Sequence, residues 1–151
     1  MKVYLLRPSL ATEAGHLSSE GRQAVRQIGQ KIQMTEEPNF GRVVCAPTPA
    51  AVQSAELFAD RTDYIGVVEV LALLGDPTTP ASVIAPLLLA STAETILVVA
   101  DEPLLATIGA FLVGRPTFPP SLHAQVSVVD GRTPLWMLRP GQLGKQQLLI
   151  A

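Results

Sequence analysis

Short apolar runs alternate along this chain with stretches in which hydrophobic residues recur every three or four positions. Lys2 to Leu6 is apolar without alternation, which predicts a strand covered on both faces. Ser18 is placed as an N-cap, with Glu20 in the first turn. Ala24, Val25, Ile28 and Ile32 then form one stripe apart from Arg22, Arg26, Gln30 and Gln33, predicting an amphipathic helix to about Gln33. Val43 to Ala46 reads as a second strand. Thr48 followed by Pro49 opens a helix that buries Ala51, Val52, Ala55, Phe58 and Ala59.

Further on, Ile65 to Val70 reads as a strand or extended segment, and Gly75-Asp76-Pro77 breaks the chain before an apolar helix over Ala81 to Leu89. Thr95 to Ala100 is the strongest buried strand, with a helix from Glu102-Pro103 to about Val113. Gln125 to Val129, the Asp130-Gly131 turn and Pro134 to Leu138 predict a β-hairpin at a sheet edge, and Gln146 to Ile150 a short final strand. This order of elements predicts an α/β fold: a three-layer α/β/α sandwich whose central sheet is mostly parallel, with an antiparallel edge hairpin.

Composition narrows the class. A chain of 151 residues fits one domain over residues 1–151 and needs no covalent staple to hold a core. One cysteine excludes an internal disulfide, no leader pattern precedes the first strand, and no apolar run reaches membrane-spanning length. The expectation is a soluble cytoplasmic protein. A net charge of −2 gives no basic stripe for nucleic acid. The 13 prolines sit between periodic segments and punctuate a globular fold.

Four stretches carry the candidate chemistry: Val3-Tyr4-Leu5-Leu6-Arg7-Pro8-Ser9, Leu17-Ser18-Ser19-Glu20-Gly21-Arg22-Gln23-Ala24, Cys45 through Glu56, and Val98-Val99-Ala100-Asp101-Glu102-Pro103. In order and spacing they resemble the histidine phosphatase superfamily, which includes phosphoglycerate mutase, and specifically its small phosphohistidine phosphatases. That family reads Arg-His-Gly after strand one, then Leu-Thr-x-x-Gly, then Ser-x-x-x-x-Arg-Ala-x-Gln-Thr-Ala, and finally Gly-His-Glu-Pro. On this template Arg7 is retained, Pro8 stands at the nucleophilic histidine, Ala50 at the second arginine and Asp101 at the second histidine. Trp136-Met137-Leu138-Arg139-Pro140 resembles the family's closing segment.

The resemblance implies a ligand cleft beyond the carboxyl ends of the strands, where Arg7, Ala50 and Asp101 converge. Phosphoryl transfer there needs an in-line nucleophile and concentrated positive charge. Pro8 has no nucleophilic atom, Ser9 has no recognisable base beside it, and Ala50 removes a cation. Asp101 sets an anion against phosphate, costing on the order of 4 kcal/mol at about 4 Å and an effective dielectric near 20. The sequence therefore predicts a catalytically inactive domain with no catalytic residue. Its degenerate pocket comprises Arg7, Pro8, Ser9, Ala50, Asp101 and Glu102.

Simpler roles stand beside these. Asp101 and Glu102 open a helix, where carboxylates are favourable. A sharper expectation is that the Asp101 carboxylate pairs with Arg7 and closes the pocket; side chains more than about 6 Å apart would refute it. Cys45 is expected buried and inert, and Ala51 stands where a cysteine phosphatase would need arginine. His16 and His123 match no motif position and read as surface or loop residues, leaving no metal site and no cofactor to propose. Gly141 to Lys145 lacks phosphate-loop spacing.

Three functional readings follow. The first is binding of a protein partner, such as a phosphorelay component, or self-association. The second is residual phosphomonoester or phosphohistidine hydrolysis with anion binding through Arg7. The third is a small-molecule sensor using the altered cleft. None involves nucleic acid or a membrane.

Overall fold

The computed structural model describes residues 1–150. Seven strands form one sheet in the order β3-β2-β4-β1-β5-β6-β7: β1 Lys2–Leu6, β2 Arg42–Cys45, β3 Val68–Val70, β4 Thr95–Val99, β5 Val126–Asp130, β6 Thr133–Leu138 and β7 Gln146–Gln147. The first four are mutually parallel; β5, β6 and β7 join antiparallel. Helices α1 (Ser19–Glu36), α2 (Pro49–Arg61), α3 (Ala81–Leu89) and α4 (Leu104–Val113) connect them.

The connections decide which face each helix covers. From β1 the chain steps through α1 to β2 and through α2 to β3, always toward one edge. It then returns through α3 to β4 and through α4 to β5. Right-handed crossovers put α1 and α2 on one face and α3 and α4 on the other, and each pair packs together. The reversal of direction falls beside β1, so the carboxyl ends of β1, β2 and β4 share one crevice.

Val43, Val44, Ile96 to Val99 and Leu5 to Leu6 are buried because both faces are covered, which is why these strands read as continuous apolar runs. Tyr4 lies at the centre of an aromatic cluster, edge-on to Phe40 at 5.0 Å and to Trp136 at 5.8 Å. Burial raises the Tyr4 pKa far above its usual value, with Glu36 adding to it.

The structure corrects several boundaries. β3 is limited to Val68–Val70, and Ile65 and Val67 are exposed, so the apolar run from Ile65 is mostly loop. A 3-10 turn over Ala72–Gly75 precedes the predicted break. The hairpin is not the sheet edge: β5 lies against β1, and the two-residue β7 pairs outside β6. No helix among the described residues is long and apolar enough to cross a membrane.

Candidate functional site

The sequence blocks that resemble the phosphatase motifs have structural work that involves no reaction. Ser18 caps α1 by accepting the Gly21 amide at 3.0 Å, and its own amide donates to the Leu10 carbonyl at 2.9 Å. The loop after β1 is thereby folded tightly over the helix start. Gly21 is required there, because any Cβ would overlap the Leu10 carbonyl oxygen, a backbone atom that cannot swing aside. Gln53 of α2 accepts the Leu17 amide at 2.7 Å and contacts His16 Nδ1 at 3.1 Å. Ser54 accepts the Ser9 amide at 3.2 Å. Thr48 caps α2 through the Ala51 amide at 3.3 Å, with Pro49 opening the helix.

Glu102 ties a second loop to this end of the sheet. Its carboxylate accepts the Ser121 amide at 2.7 Å and the Ala106 amide at 2.8 Å. Asp101 accepts from the Glu102 amide at 2.8 Å and from Arg7 Nε at 3.0 Å. The expected Arg7–Asp101 ion pair is thus formed. Asp101 is largely solvent-exposed, at 65 % of its side chain against 23 % for Arg7, so water screens the pair.

Arg7 has a further bond, from Nη1 to the Ser121 carbonyl at 2.9 Å. Its backbone is bracketed by the same loop: the Arg7 amide donates to the Gln125 carbonyl and the Ala124 amide donates to the Arg7 carbonyl, both at 3.1 Å. The Pro8 carbonyl is the partner of His123 Nδ1 at 3.2 Å. A carbonyl can only accept, so Nδ1 carries the proton and Nε2 is the ring nitrogen left for other partners.

The pair does not close the crevice; it divides it. On one side a cavity of about 430 Å³ is lined by Arg7, Ser9, Leu10, His123 and Arg139, among others. On the other, a cavity of about 200 Å³ is lined by Asp101, Glu102 and residues of the β2–α2 and 3-10 turns. Of the six predicted pocket residues, Arg7 and Ser9 line the first, Asp101 and Glu102 the second, and Pro8 and Ala50 neither.

Two residues outside the six predicted pocket positions, His123 and Arg139, join the first cavity. His123 belongs to the exposed loop before β5, as a loop histidine should, yet that loop is folded back onto Pro8. Arg139 follows β6, and its Nε donates at 2.9 Å to Gln125 Oε1, which also accepts the Leu122 amide at 3.0 Å. Gln125 itself is fully buried, and its amide nitrogen donates to Ser127 at 3.2 Å. Arg139 belongs to the Trp136–Pro140 segment that resembles the family's closing stretch, whereas His123 and Gln125 carry no motif signal.

Cys45 is fully buried at the end of β2, and burial, with Glu56 adding, pushes its thiol up to about 11. It is a neutral core side chain at neutral pH. Among the described residues, no group of three His, Cys, Asp or Glu is placed to hold a metal ion.

The chain is similar to the protein histidine phosphatase SixA complexed with tungstate, with a TM-score of 0.82 and 22% identity over 93% of this chain and 97% of that one. It is similar to a candidate phosphohistidine phosphatase SixA from Agrobacterium tumefaciens, with a TM-score of 0.73 and 14% identity over 92% and 98%. The alpha-ribazole phosphatase from Shigella flexneri matches with a TM-score of 0.65 and 17% identity over 86% and 90%. No family model and no curated protein matches the sequence. Strand order, crossovers and these likenesses together give the chain the fold of the histidine phosphatases.

Proposed function

We propose that this chain is a catalytically inactive histidine-phosphatase-fold domain that acts by binding a protein or a ligand at the carboxyl end of its sheet, in phosphorelay signalling or a related setting. The observation that carries this reading is the state of the strand-one motif. Arg7 is occupied by Asp101 and the Ser121 carbonyl, and Pro8, at the nucleophile's place in the motif, is buried and offers only its carbonyl. A phosphoryl group approaching along the family's path would meet the Asp101 carboxylate and no lone pair. The test is turnover of p-nitrophenyl phosphate and of a phosphohistidine peptide. Rates equal to buffer, unchanged in Arg7→Ala, are expected; turnover lost in Arg7→Ala would refute the reading.

A second reading is favoured by His123 and by the phosphatases that share the fold. Its Nε2 would attack phosphorus while the bond to the leaving oxygen breaks with its electron pair going to that oxygen; water would later cleave the resulting P–N bond. An acid-labile gain of one phosphoryl group on the wild type, absent in His123→Asn, would establish this reading and displace the first.

A further inference from the structure

The two helix layers of the fold differ in charge. Helix α1 carries charges from Glu20 to Glu36 and α2 from Glu56 to Arg61, whereas no Asp, Glu, Lys or Arg occurs within α3 or α4. The inner residues of the second pair, Ile84, Leu88, Leu105 and Ile108 among them, belong to the core. Its outer side is apolar as well. Val83 and Leu87 on α3 and Phe111 on α4 are 49 %, 44 % and 48 % exposed, and Leu89 lies beside Phe111 at the rim of one cavity. A helix that is apolar all round is ordinarily covered. A charge-free exposed patch that includes an aromatic ring has the composition of an interface core.

The charges that border this layer are sorted by end. Both helices run from the carboxyl ends of the strands toward the amino ends. Asp76, Asp101 and Glu102 stand before their starts. Arg115 follows the end of α4, and Arg132 of the β5–β6 turn lies against Gly114 there. Asp101 is taken by Arg7 and Glu102 by backbone amides, but Asp76, Arg115 and Arg132 have no ion pair among the described residues. The Thr78 hydroxyl and amide donate to Asp76 Oδ1 at 2.7 and 2.9 Å, which holds that carboxyl below its usual range and leaves Oδ2 open.

A face that is apolar in the middle, acidic at one end and basic at the other is complementary to itself turned end for end. A two-fold axis lying in the face, perpendicular to the helices, makes that turn. Antiparallel helices then meet across it, so like charges separate and the helix dipoles oppose. Helices of 9 and 10 residues are about 15 Å long, and two side by side span about 20 Å. That area alone falls short of the ~800 Å² per partner of a standard interface, so the charged rims contribute and the association is weak. We infer that this chain pairs with a second copy of itself through the α3–α4 face. Val83, Leu87 and Phe111 pack at the centre, and Arg115 meets the partner's Asp76. The crevice beside Arg7 lies outside this face, so the pairing and the function proposed above can fail separately.

Sedimentation velocity of the full chain from about 1 to about 100 μM is expected to show a mass rising from one chain toward two. Phe111→Glu, at an exposed position, should weaken association at least about tenfold. Arg115→Asp should weaken it several-fold. Adding Asp76→Arg should restore it to within about threefold of wild type, because both copies then carry the pair reversed. Rescue by a second substitution excludes misfolding as the cause of the first loss. Met34→Glu, at an exposed apolar position on α1, should change nothing. A mass of one chain throughout, or a dimer unaltered in folded Phe111→Glu, overturns the inference. So does failure of the reversed pair to restore association, and so does a mass climbing past two chains, since a two-fold face closes. A monomer that floats with lipid vesicles only while Phe111 is intact would give the face to a lipid surface and overturn the pairing.

Discussion

The two ends of the sheet each carry a cavity with two arginines, and they differ in how those arginines are held. At the amino end a larger space of about 680 Å³ is lined by Met1, Val3, Leu89, Phe111, Arg115 and Arg132, among others. Neither arginine there donates a side-chain hydrogen bond to the described residues, and both sit by the carboxyl end of α4, where a cation answers the helix dipole. At the carboxyl end the space is smaller, but Arg7 is fixed by Asp101 and Ser121 and Arg139 by buried Gln125. Side-chain entropy explains why this matters. A free arginine must be ordered when it binds, whereas one already fixed by its neighbours loses less freedom on meeting an anion.

Four experiments can break or sharpen that contrast. The largest effect is expected from Gly21→Ala, which drives a methyl into the Leu10 carbonyl under the carboxyl-end cavity. A loss of about 3 kcal/mol, the upper part of the overpacking range, should appear in urea denaturation. Binding of phenylphosphonate, a hydrolysis-resistant anion offered to the carboxyl-end cavity, should weaken as the loop shifts. An unchanged midpoint would mean that the loop has room that the geometry denies.

Gln125→Leu should cost about 2 kcal/mol by leaving the Leu122 amide and Arg139 Nε without their shared acceptor. It should also release Arg139, making the carboxyl end resemble the amino end. Phenylphosphonate affinity should fall even though no ligand contact is deleted. Retained affinity would show that fixing Arg139 is irrelevant.

Alkaline titration probes the core under the crevice. The folded thiol of Cys45 titrates near 11 against 9.0 for an unperturbed thiol. The protonated form is favoured by folding, so its contribution is complete below about pH 9 and is lost as pH rises toward about 11. Thermal unfolding between those limits should decline less steeply in Cys45→Ala. The raised Tyr4 pKa acts in the same direction at still higher pH.

Asp101→Asn should change stability least, by under about 1 kcal/mol, because the pair is exposed and screened. Its informative readout is binding: removing the carboxylate takes a negative charge from beside the crevice, and that gain should outweigh the looser hold on Arg7 and tighten phenylphosphonate. Weaker binding would show that Asp101 holds Arg7 in a productive orientation.

Legibility in the sequence varied with the range of the force involved. Strands β1, β2 and β4 were readable because burial on both faces demands continuous apolar residues. The starts of α1 and α2 were readable because capping is a contact between residues three apart, Ser18 with Gly21 and Thr48 with Ala51. Within Ile65 to Val70 only Val68–Val70 pairs as a strand; the β-branched residues of the exposed loop before it look locally the same. The Arg7–Asp101 pair was legible through the motif order, since two adjacent parallel strands end beside each other.

His123, Arg139 and Gln125 were not legible as a site. They lie in the antiparallel half of the chain, and hydrogen bonds to residues more than a hundred positions earlier bring their loop to Arg7 and Pro8. By itself the sequence determined the element order, the core strands, the caps and the altered strand-end motifs, all of which depend on near neighbours or on burial. Only the tertiary structure decided where the remaining cations gather. That depends on β5 pairing with β1 rather than lying at an edge, and strand pairing across such separations leaves no local pattern to read.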